Sequence, residues 1–344
     1  MIRRCALILA SLFAVCVIAA MAVPTPAIAD DSAVVLIYQR VGEAKRHPLE
    51  SVTRVQFDAH LAHLKRGGFT VMNLRDIVAA LAAKKALPER TVAITFDNAF
   101  KSIYRDAWPK LKAAGLPFSI FVATDAIDAG DPDVLTWDEL RTLAQAGIAI
   151  ESRGASNRPL WRLEAADQRR DIAKGQARIK TEIGKAPLLF AYPSGEQNAA
   201  LRQAVRELGF DAAFVLRSGP VFGGEDRYAL PRFELNARYG SIERFQTIVE
   251  VLPFPVQNLV PKEAILTTPR PHISFTIDKA LGALDTLACY VTRQKRTEYT
   301  LTITREIRVE LARAFVPGHD NRVNCTLPGP DGRVRWLGLQ YVAP

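Results

Sequence analysis

The middle of this chain has no histidine. All five histidines of the 344 residues lie outside residues 64–271. Because imidazole is the commonest ligand of zinc-type metals and the usual acid or base near neutral pH, that stretch has no ready donor for either role. The sequence also contains no Gly-x-Ser-x-Gly elbow, no His-Glu-x-x-His pair and no phosphate-binding loop. These absences leave the corresponding hydrolase and nucleotide-binding classes without support.

Long apolar runs are scarce as well, and none after residue 29 is long enough to cross a bilayer. At the start, Arg3 and Arg4 precede an apolar stretch over residues 6–23, and Ala27-Ile28-Ala29 supplies the small residues of a cleavage site. This pattern predicts a signal peptide over residues 1–29 and export to the periplasm or the extracellular space. An uncleaved membrane anchor is the alternative, which the short run and the prolines after it disfavour.

Only four cysteines are present, and Cys5 and Cys16 leave with the predicted signal peptide. Cys289 and Cys325 remain as an even pair in an oxidising compartment, so we expect a disulfide between them. In the chain-entropy picture such a bridge contributes about 3 to 4 kcal/mol to stability. Two free buried thiols are the alternative.

The charge balance is moderately basic. Removal of Arg3 and Arg4 takes the basic residues from 45 to 43 against 36 acidic residues, a net charge of +7. Such an excess favours anionic glycans or membrane surfaces, although scattered Lys and Arg residues are more often only a solvated surface. No nucleic-acid-binding motif accompanies the charge, so we expect no nucleic-acid partner.

The hydrophobic pattern divides the mature chain into two domains. Over residues 30–252 short apolar strands alternate with amphipathic helices, which indicates a parallel sheet covered by helices, either open or closed into a barrel. Five prolines mark a linker over residues 253–271. Short alternating runs without intervening helices then fill residues 272–344, which is typical of a small all-β sandwich.

The centre of the first domain is the buried strand that ends in Thr95-Phe96-Asp97-Asn98-Ala99. This run resembles the first motif of the polysaccharide deacetylase (NodB-homology) family of carbohydrate esterases, Thr-Phe-Asp-Asp-Gly/Ala. The resemblance implies that Asp97 stands at the position of the general base. It also implies that Asn98 replaces a metal-binding aspartate, and a neutral amide attracts a divalent ion much less than a carboxylate does.

Residues 150–160 resemble the second motif of the family, Ser-His-x-x-Ser/Thr-His. Ser152 and Ser156 are kept, but Arg153 and Asn157 stand where the family has its two histidine ligands. Members of the family use a divalent metal such as zinc, whereas Arg153 carries a permanent positive charge and cannot bind a metal. We therefore expect no metal cofactor.

Two later segments extend the resemblance, which covers roughly residues 33–250. Residues 190–195, Phe-Ala-Tyr-Pro-Ser-Gly, are similar to the third motif of the family, so Tyr192, Pro193 and Gly195 are candidates for lining the substrate groove. Arg232 lies in a segment similar to the late Leu-Pro-Arg of the family and is a candidate catalytic residue. The fold implied is a deformed (β/α) barrel of the polysaccharide deacetylase type followed by the β-sandwich.

Several interpretations of the site stay open. Asp97 is either a residual base or a strand-end carboxylate paired with Arg153 or Arg232. Arg153 and Asn157 mark either a decayed metal site or one adapted to hold an acidic or acetylated sugar. A weaker alternative is an oxygen site made by Asp97, Asn98 and Glu151. Tyr192 and Trp161 either stack on sugar rings or pack in the core.

The sequence thus favours an exported, metal-free pseudo-deacetylase that binds acetylated polysaccharide. An active hydrolase of carbon–nitrogen bonds with an atypical site is the first alternative. An interaction module within envelope polysaccharide machinery is the second.

Overall fold

The structure is a computed structural model of the protein, and it describes residues 31–277, 281, 284–294 and 296–344. The predicted signal peptide lies outside the described residues. Within the described part of the chain, no helix is long and apolar enough to span a membrane.

The first domain alternates strands and helices, as the hydrophobic pattern predicts. Its strands are β1 Ser32–Tyr38, β2 Arg40–Val41, β3 Ser51–Val52, β4 Thr70–Val71, β5 Thr91–Asp97, β6 Ser119–Val122, β7 Ala149–Ser152, β8 Leu189–Ala191, β9 Ala212–Phe214, β10 Val221–Phe222 and β11 Phe233–Glu234. Its helices are α1 Arg54–Arg66, α2 Leu74–Ala82, α3 Trp108–Ala114, α4 Thr124–Asp128, α5 Trp137–Gln145, α6 Ala165–Ile183, α7 Ala199–Glu207 and α8 Ile242–Ile248. Several helices begin at a short polar residue whose side chain accepts a hydrogen bond from the first turn. These residues are Thr53, Asn73, Thr136, Asn198 and Ser241.

Strands β1, β5, β6, β7, β8 and β9 lie side by side in that order and run parallel. Strand β11 also runs parallel to β1, and Leu230 forms a parallel bridge with Phe214 of β9. The segment between β9 and β11 therefore links the two ends of the sheet, which curves round as a deformed barrel. The predicted α/β barrel fold is confirmed.

Strand β5 shows how the sequence divides between the two sides of the barrel wall. Ile94 and Phe96 belong to the core between the strands and the surrounding helices, whereas Ala93 belongs to the core inside the barrel. Because side chains alternate along a strand, Asp97 shares the inner side with Ala93. The carboxyl ends of the parallel strands, where Asp97 lies, are called the mouth below.

The second domain is a β-sandwich, also as predicted. Its strands are β12 Leu252–Pro253, β13 Val256–Val260, β14 Ile273–Ile277, β15 Ala288–Val291, β16 Arg296–Thr297, β17 Tyr299–Leu301, β18 Glu306–Val309, β19 Asn321–Pro328 and β20 Val334–Tyr341. One sheet has the order β12-β20-β19-β15-β16 and the other β13-β14-β18-β17. Cys289 of β15 stands directly opposite Cys325 of β19, and the expected disulfide joins them.

The predicted linker over residues 253–271 is shorter in the structure. Strand β13, Val256–Val260, lies inside that range and pairs with β14, and β12 pairs with β20. The prolines suggested a linker, but proline is tolerated on an edge strand, where the missing amide faces away from the sheet. The boundary predicted at residue 272 is therefore too late, and the β domain begins near residue 252.

The two domains share a face. Trp336 packs edge-on against Phe233 with ring centroids 5.3 Å apart, and Gln340 Nε2 donates to the Ser194 carbonyl oxygen at 3.3 Å. Gly338 approaches so closely that a Cβ there would lie 1.8 Å from the Ser218 carbonyl oxygen. Because Ser194 follows β8 at the carboxyl end of the barrel, the sandwich flanks the mouth.

Candidate functional site

Asp97 ends strand β5, and the chain turns sharply after it. Asn98 and Ala99 both have positive φ, 72° and 51°, and asparagine tolerates this conformation better than most residues. The Asn98 amide donates to the Phe121 carbonyl oxygen at 3.0 Å, which ties the turn to β6. Asp97 is only 1% exposed, so an ionised carboxylate at this position needs charged partners.

Arg232 supplies the first partner of Asp97. Its Nη1 donates to Oδ1 at 2.8 Å and its Nη2 to Oδ2 at 3.0 Å, which makes a two-pronged ion pair. The guanidinium lies over the rings of Phe121 and Phe214, 5.2 and 5.8 Å from their centroids. Since Arg232 is fully buried in the barrel, it holds Asp97 and does not reach the solvent.

Arg153 supplies the second partner and closes the mouth. Its Nη1 donates to Asp97 Oδ2 at 2.5 Å, and its Nε donates to Asn157 Oδ1 at 2.8 Å. Burial lowers the pKa of the Arg153 guanidinium, an effect that Asp97 opposes and Arg232 reinforces. The group nevertheless stays charged at physiological pH. Its Nη2 has no hydrogen-bond partner among the described residues, which leaves a charged donor for a ligand.

The donors around Asp97 do not suit a divalent metal. Guanidinium groups occupy both carboxylate oxygens, and Asn98 and Asn157 offer only neutral oxygens. Asn98 Nδ2 donates to Gln39 Oε1 at 3.2 Å, while its Oδ1 is buried without a partner. Nowhere in the described ranges do three His, Cys, Asp or Glu side chains gather to hold an ion.

The loop that carries Arg153 and Asn157 is held by helix α6. Asp171 of α6 accepts hydrogen bonds from the amides of Ala155 and Ser156, at 2.9 and 3.1 Å. Gly175 lets the helix approach, since a Cβ there would lie 2.5 Å from the backbone of the loop. Asp171 was not among the predicted site residues, although its position on the inner face of a long helix after the motif was a usable signal.

The third-motif residues lie next to the mouth, mostly buried. Tyr192 is fully buried, and its hydroxyl donates to the Tyr228 carbonyl oxygen at 3.0 Å, so its ring packs in the core and does not face a groove. Pro193 and Gly195 are buried as well, and Gly195 has a φ of 68° with the backbone of Leu216 close against it. These residues shape the loop rather than present side chains.

Trp161 is the aromatic residue that stays partly exposed beside this loop. Its Nε1 donates to Glu196 Oε2 at 2.6 Å, which joins the loop after β7 to the loop after β8. The indole of Trp161 is therefore accessible beside this loop, whereas the phenol of Tyr192 is not.

Glu151 does not join Asp97 in an oxygen site, so that alternative was wrong. Phe121 stands between the two carboxylates in the strand register. Glu151 is instead bound by Arg75 at 2.5 Å and by the amides of Leu188 and Leu189, both at 2.9 Å. Strand alternation indicates its direction, because Glu151 of β7 lies two residues before Arg153, which directly follows that strand.

Comparison with known proteins agrees with this geometry. Residues 84–213 match the family model described as polysaccharide deacetylase. The matched part of the barrel is similar to the polysaccharide deacetylase family. The match ends well before the β-sandwich, so it characterises the first domain only.

Curated relatives are identical to this chain at about a quarter of the aligned residues. The putative polysaccharide deacetylase YxkH of Bacillus subtilis is 26% identical over 185 residues, which cover 54% of this chain and 66% of that protein. The poly-beta-1,6-N-acetyl-D-glucosamine N-deacetylase of Escherichia coli is 28% identical over 243 residues, covering 58% of this chain but only 35% of that protein. This chain thus spans less than two thirds of either relative.

Solved structures support the fold. The Streptococcus pyogenes deacetylase PplD, in complex with acetate, superposes with a TM-score of 0.60 at 20% identity, covering 64% of this chain and 98% of that chain. IcaB from Ammonifex degensii gives a TM-score of 0.57 at 24% identity, covering 63% of this chain and 98% of that chain. At these identities the likeness concerns the deacetylase barrel and not its chemistry.

Proposed function

We propose that this protein is an exported pseudo-deacetylase that binds acetylated polysaccharide at the mouth of the barrel without a metal. The single observation that carries the proposal is the Arg153 guanidinium, which donates to Asp97 and to Asn157. In the motif resemblance, Arg153 and Asn157 occupy two ligand positions. A bound guanidinium at this place competes with a cation for the Asp97 carboxylate.

The substitutions preserve the local charge. The motif resemblance implies that relatives place two carboxylates around one divalent cation, a sum of zero. Here Asn98 stands in place of a carboxylate, which removes one negative charge. The single positive charge of Arg153 stands in place of the two positive charges of the cation. Asp97 and Arg153 again sum to zero, with Arg232 beside them. The charge balance supports an adapted binding site, because random loss of ligands has no reason to conserve it.

Asp97 is poorly placed to act as a base. Oδ1 accepts from Arg232, and Oδ2 accepts from both Arg153 and Arg232. Without a metal to lower the pKa of a bound water, a carboxylate in this state cannot deprotonate the water efficiently. We therefore expect no turnover.

The ligand class follows from the relatives and from the mouth. Two curated relatives act, by name, on poly-beta-1,6-N-acetyl-D-glucosamine. An N-acetyl group offers a carbonyl oxygen that the free Nη2 of Arg153 can bind, and an exposed amide side chain, Asn157, lies next to it. Acetylated glucosamine polymers of the cell envelope or its surroundings are the proposed ligand.

An active hydrolase with an atypical site is the alternative, and one observation favours it. Asp97 and Arg232 are kept at the base position and in the late motif, and their ion pair is intact. If Arg153 swung out to the solvent, one oxygen of Asp97 would lose a donor and become available.

The proposal is tested on the purified mature protein with oligomers of β-1,6-linked N-acetylglucosamine. We expect calorimetric binding, no stoichiometric zinc, cobalt or nickel, and no acetate release. Arg153→Ala should weaken binding about tenfold, the value of one good charged hydrogen bond. Arg158→Ala is the matched control, because Arg158 is an exposed arginine on the same loop.

A bound metal in stoichiometric amount, or acetate release that is lost in Asp97→Ala, would establish the hydrolase instead. Binding to envelope proteins without affinity for the oligomers would point to an interaction module.

A further inference from the structure

A cavity of about 260 Å³ lies between the barrel and the sandwich. Its barrel wall includes Arg202, Arg217 and Phe222, and its sandwich wall includes Leu339, Gln340 and Tyr341. Clefts between domains are frequent positions of ligand sites. The volume is near the lower end of the range for small-ligand sites, which begins at about 300 Å³, so the cavity has room for a single sugar unit.

The charges in and beside this cleft balance, since Arg202, Arg217 and Lys262 are matched in number by Glu225, Asp226 and Glu263. Arg202 forms ion pairs with Glu263 at 2.9 Å and with Asp226 at 3.3 Å, and Arg217 pairs with Glu225. Each guanidinium thus has at least one carboxylate partner within the wall. The cleft therefore offers hydrogen-bond donors and acceptors without a strong net field, which suits a neutral, hydroxyl-rich ligand better than an anion.

The remaining lining combines apolar surface with one unsatisfied polar group. Phe222 is partly exposed and lies near the aliphatic side chains of Leu337 and Leu339. Gln340 donates through Nε2 to the Ser194 carbonyl oxygen, while its Oε1 has no hydrogen-bond partner in the part of the chain that the structure describes. An apolar surface beside planar polar side chains matches the C–H face and the polar rim of a sugar ring.

The loop after β8 is the common wall of the mouth and the cleft. On one side of this loop, Glu196 accepts the hydrogen bond from Trp161 near the mouth. Its next residue, Gln197, lines the cleft and accepts a hydrogen bond from Arg202. Ser194 of the same loop is the residue that contacts Gln340. A polymer that crosses this loop can therefore occupy both sites at once.

We propose that the cleft between the barrel and the sandwich is a second subsite for the same neutral polysaccharide, so that the β domain lengthens the binding surface of the barrel. This inference rests on the proposed function at the mouth. It assigns a role to the C-terminal domain, which holds one further sugar unit of a chain whose acetylated unit is bound at Arg153.

The experiment compares the affinities of a disaccharide and an octasaccharide of β-1,6-linked N-acetylglucosamine by calorimetry. Two sites joined by one ligand bind it far more tightly than either site alone, so the wild type should prefer the octasaccharide by at least about tenfold. Ala264→Trp fills the cleft with an indole and Gln340→Met removes its polar group. Both should reduce that preference about tenfold and leave the disaccharide affinity unchanged.

Ala113→Trp, on the exposed face of α3, is the matched control and should behave as wild type. Arg153→Ala should weaken both ligands. If both cleft variants fold and keep the octasaccharide preference while Arg153→Ala weakens binding, the subsite is wrong and the mouth stands. If the cleft variants weaken binding and Arg153→Ala does not, the proposed function of the mouth is wrong. If the wild type binds neither oligomer, both fail.

Discussion

Asp97 and Glu151 are two buried carboxylates on the inner side of one barrel, and their surroundings differ. Asp97 is bound by two buried guanidinium groups, Arg153 and Arg232. Glu151 is bound by one half-exposed arginine, Arg75, and by two backbone amides. The first cluster has one positive charge in excess, whereas the second is balanced and closed by the backbone.

The difference indicates which carboxylate belongs to a site. Both carboxylate oxygens of Glu151 accept hydrogen bonds, two of them from backbone amides that need an acceptor in the folded protein. These bonds therefore connect α2 and the strand β8 to β7. The Asp97 cluster keeps one donor, Arg153 Nη2, without a hydrogen-bond partner among the described residues at the mouth of the barrel. Burial alone would not separate the two, since both carboxylates are at most 1% exposed.

The test with the largest expected effect restores a metal site at the mouth. The triple variant Asn98→Asp, Arg153→His and Asn157→His supplies a carboxylate and two imidazoles beside Asp97, the donor set that zinc prefers. We expect one zinc per chain by elemental analysis, against none for wild type. A variant with Arg75→His at the other cluster is the control and should take up none. If the triple variant folds but binds no ion, the match of residues 150–160 to the second motif is wrong.

The second test compares the loss of each negative charge. Asp97→Asn leaves two buried guanidinium groups without a counter-charge and should cost about 3 to 5 kcal/mol in the free energy of unfolding. Glu151→Gln should cost about 1 kcal/mol or less, because Arg75 can turn to the solvent and the new amide oxygen can still accept a backbone hydrogen bond. Urea unfolding measures both. An equal or larger loss of unfolding free energy in Glu151→Gln would show that the two carboxylate clusters do not differ in this way.

The fold was predictable because its signals are local. Apolar runs such as residues 91–97 mark buried strands, and alternation with helices marks the parallel order. The domain boundary was less predictable, because Pro253 on the edge strand β12 and the prolines on either side of β13 look in the sequence like those of a linker. Strand pairing depends on partners that are distant in the chain.

The site was predictable only in part. The motifs identified Asp97, Arg153 and Asn157 as candidate site residues. In the structure Arg153 donates hydrogen bonds to both of the others. The burial of Tyr192 depends on helix packing, which no single motif encodes. The same is true of the hydrogen bonds that Asp171 accepts from the loop. The inward direction of Glu151 follows from strand alternation, but its partner Arg75, 76 residues away, does not.

The third test asks which arginine touches a ligand. Arg153→Lys keeps the charge but loses the planar fork that joins Asp97 to Asn157, so affinity for acetylated glucosamine oligomers should fall about tenfold. Arg75→Lys makes the same exchange at the closed cluster and should leave affinity unchanged. Calorimetric titration of both variants decides, and equal losses would mean that the two arginines act only through the stability of the barrel.

The smallest effect concerns the pH dependence of stability at Glu151. Burial raises the pKa of this carboxyl above its ordinary value of 4.5, an effect that Arg75 and the amides of Leu188 and Leu189 oppose. Above pH 4.5 the folded protein therefore keeps a proton that the unfolded chain has lost. The resulting stabilisation is complete below that pH and is lost as the pH rises through the pKa of the folded state. Glu151→Gln has no carboxyl to titrate, so its free energy of unfolding in urea, relative to wild type, should improve as the pH rises above 4.5. A relative loss over that range would mean that Arg75 outweighs burial, and Glu151 would then resemble an ordinary stabilising ion pair.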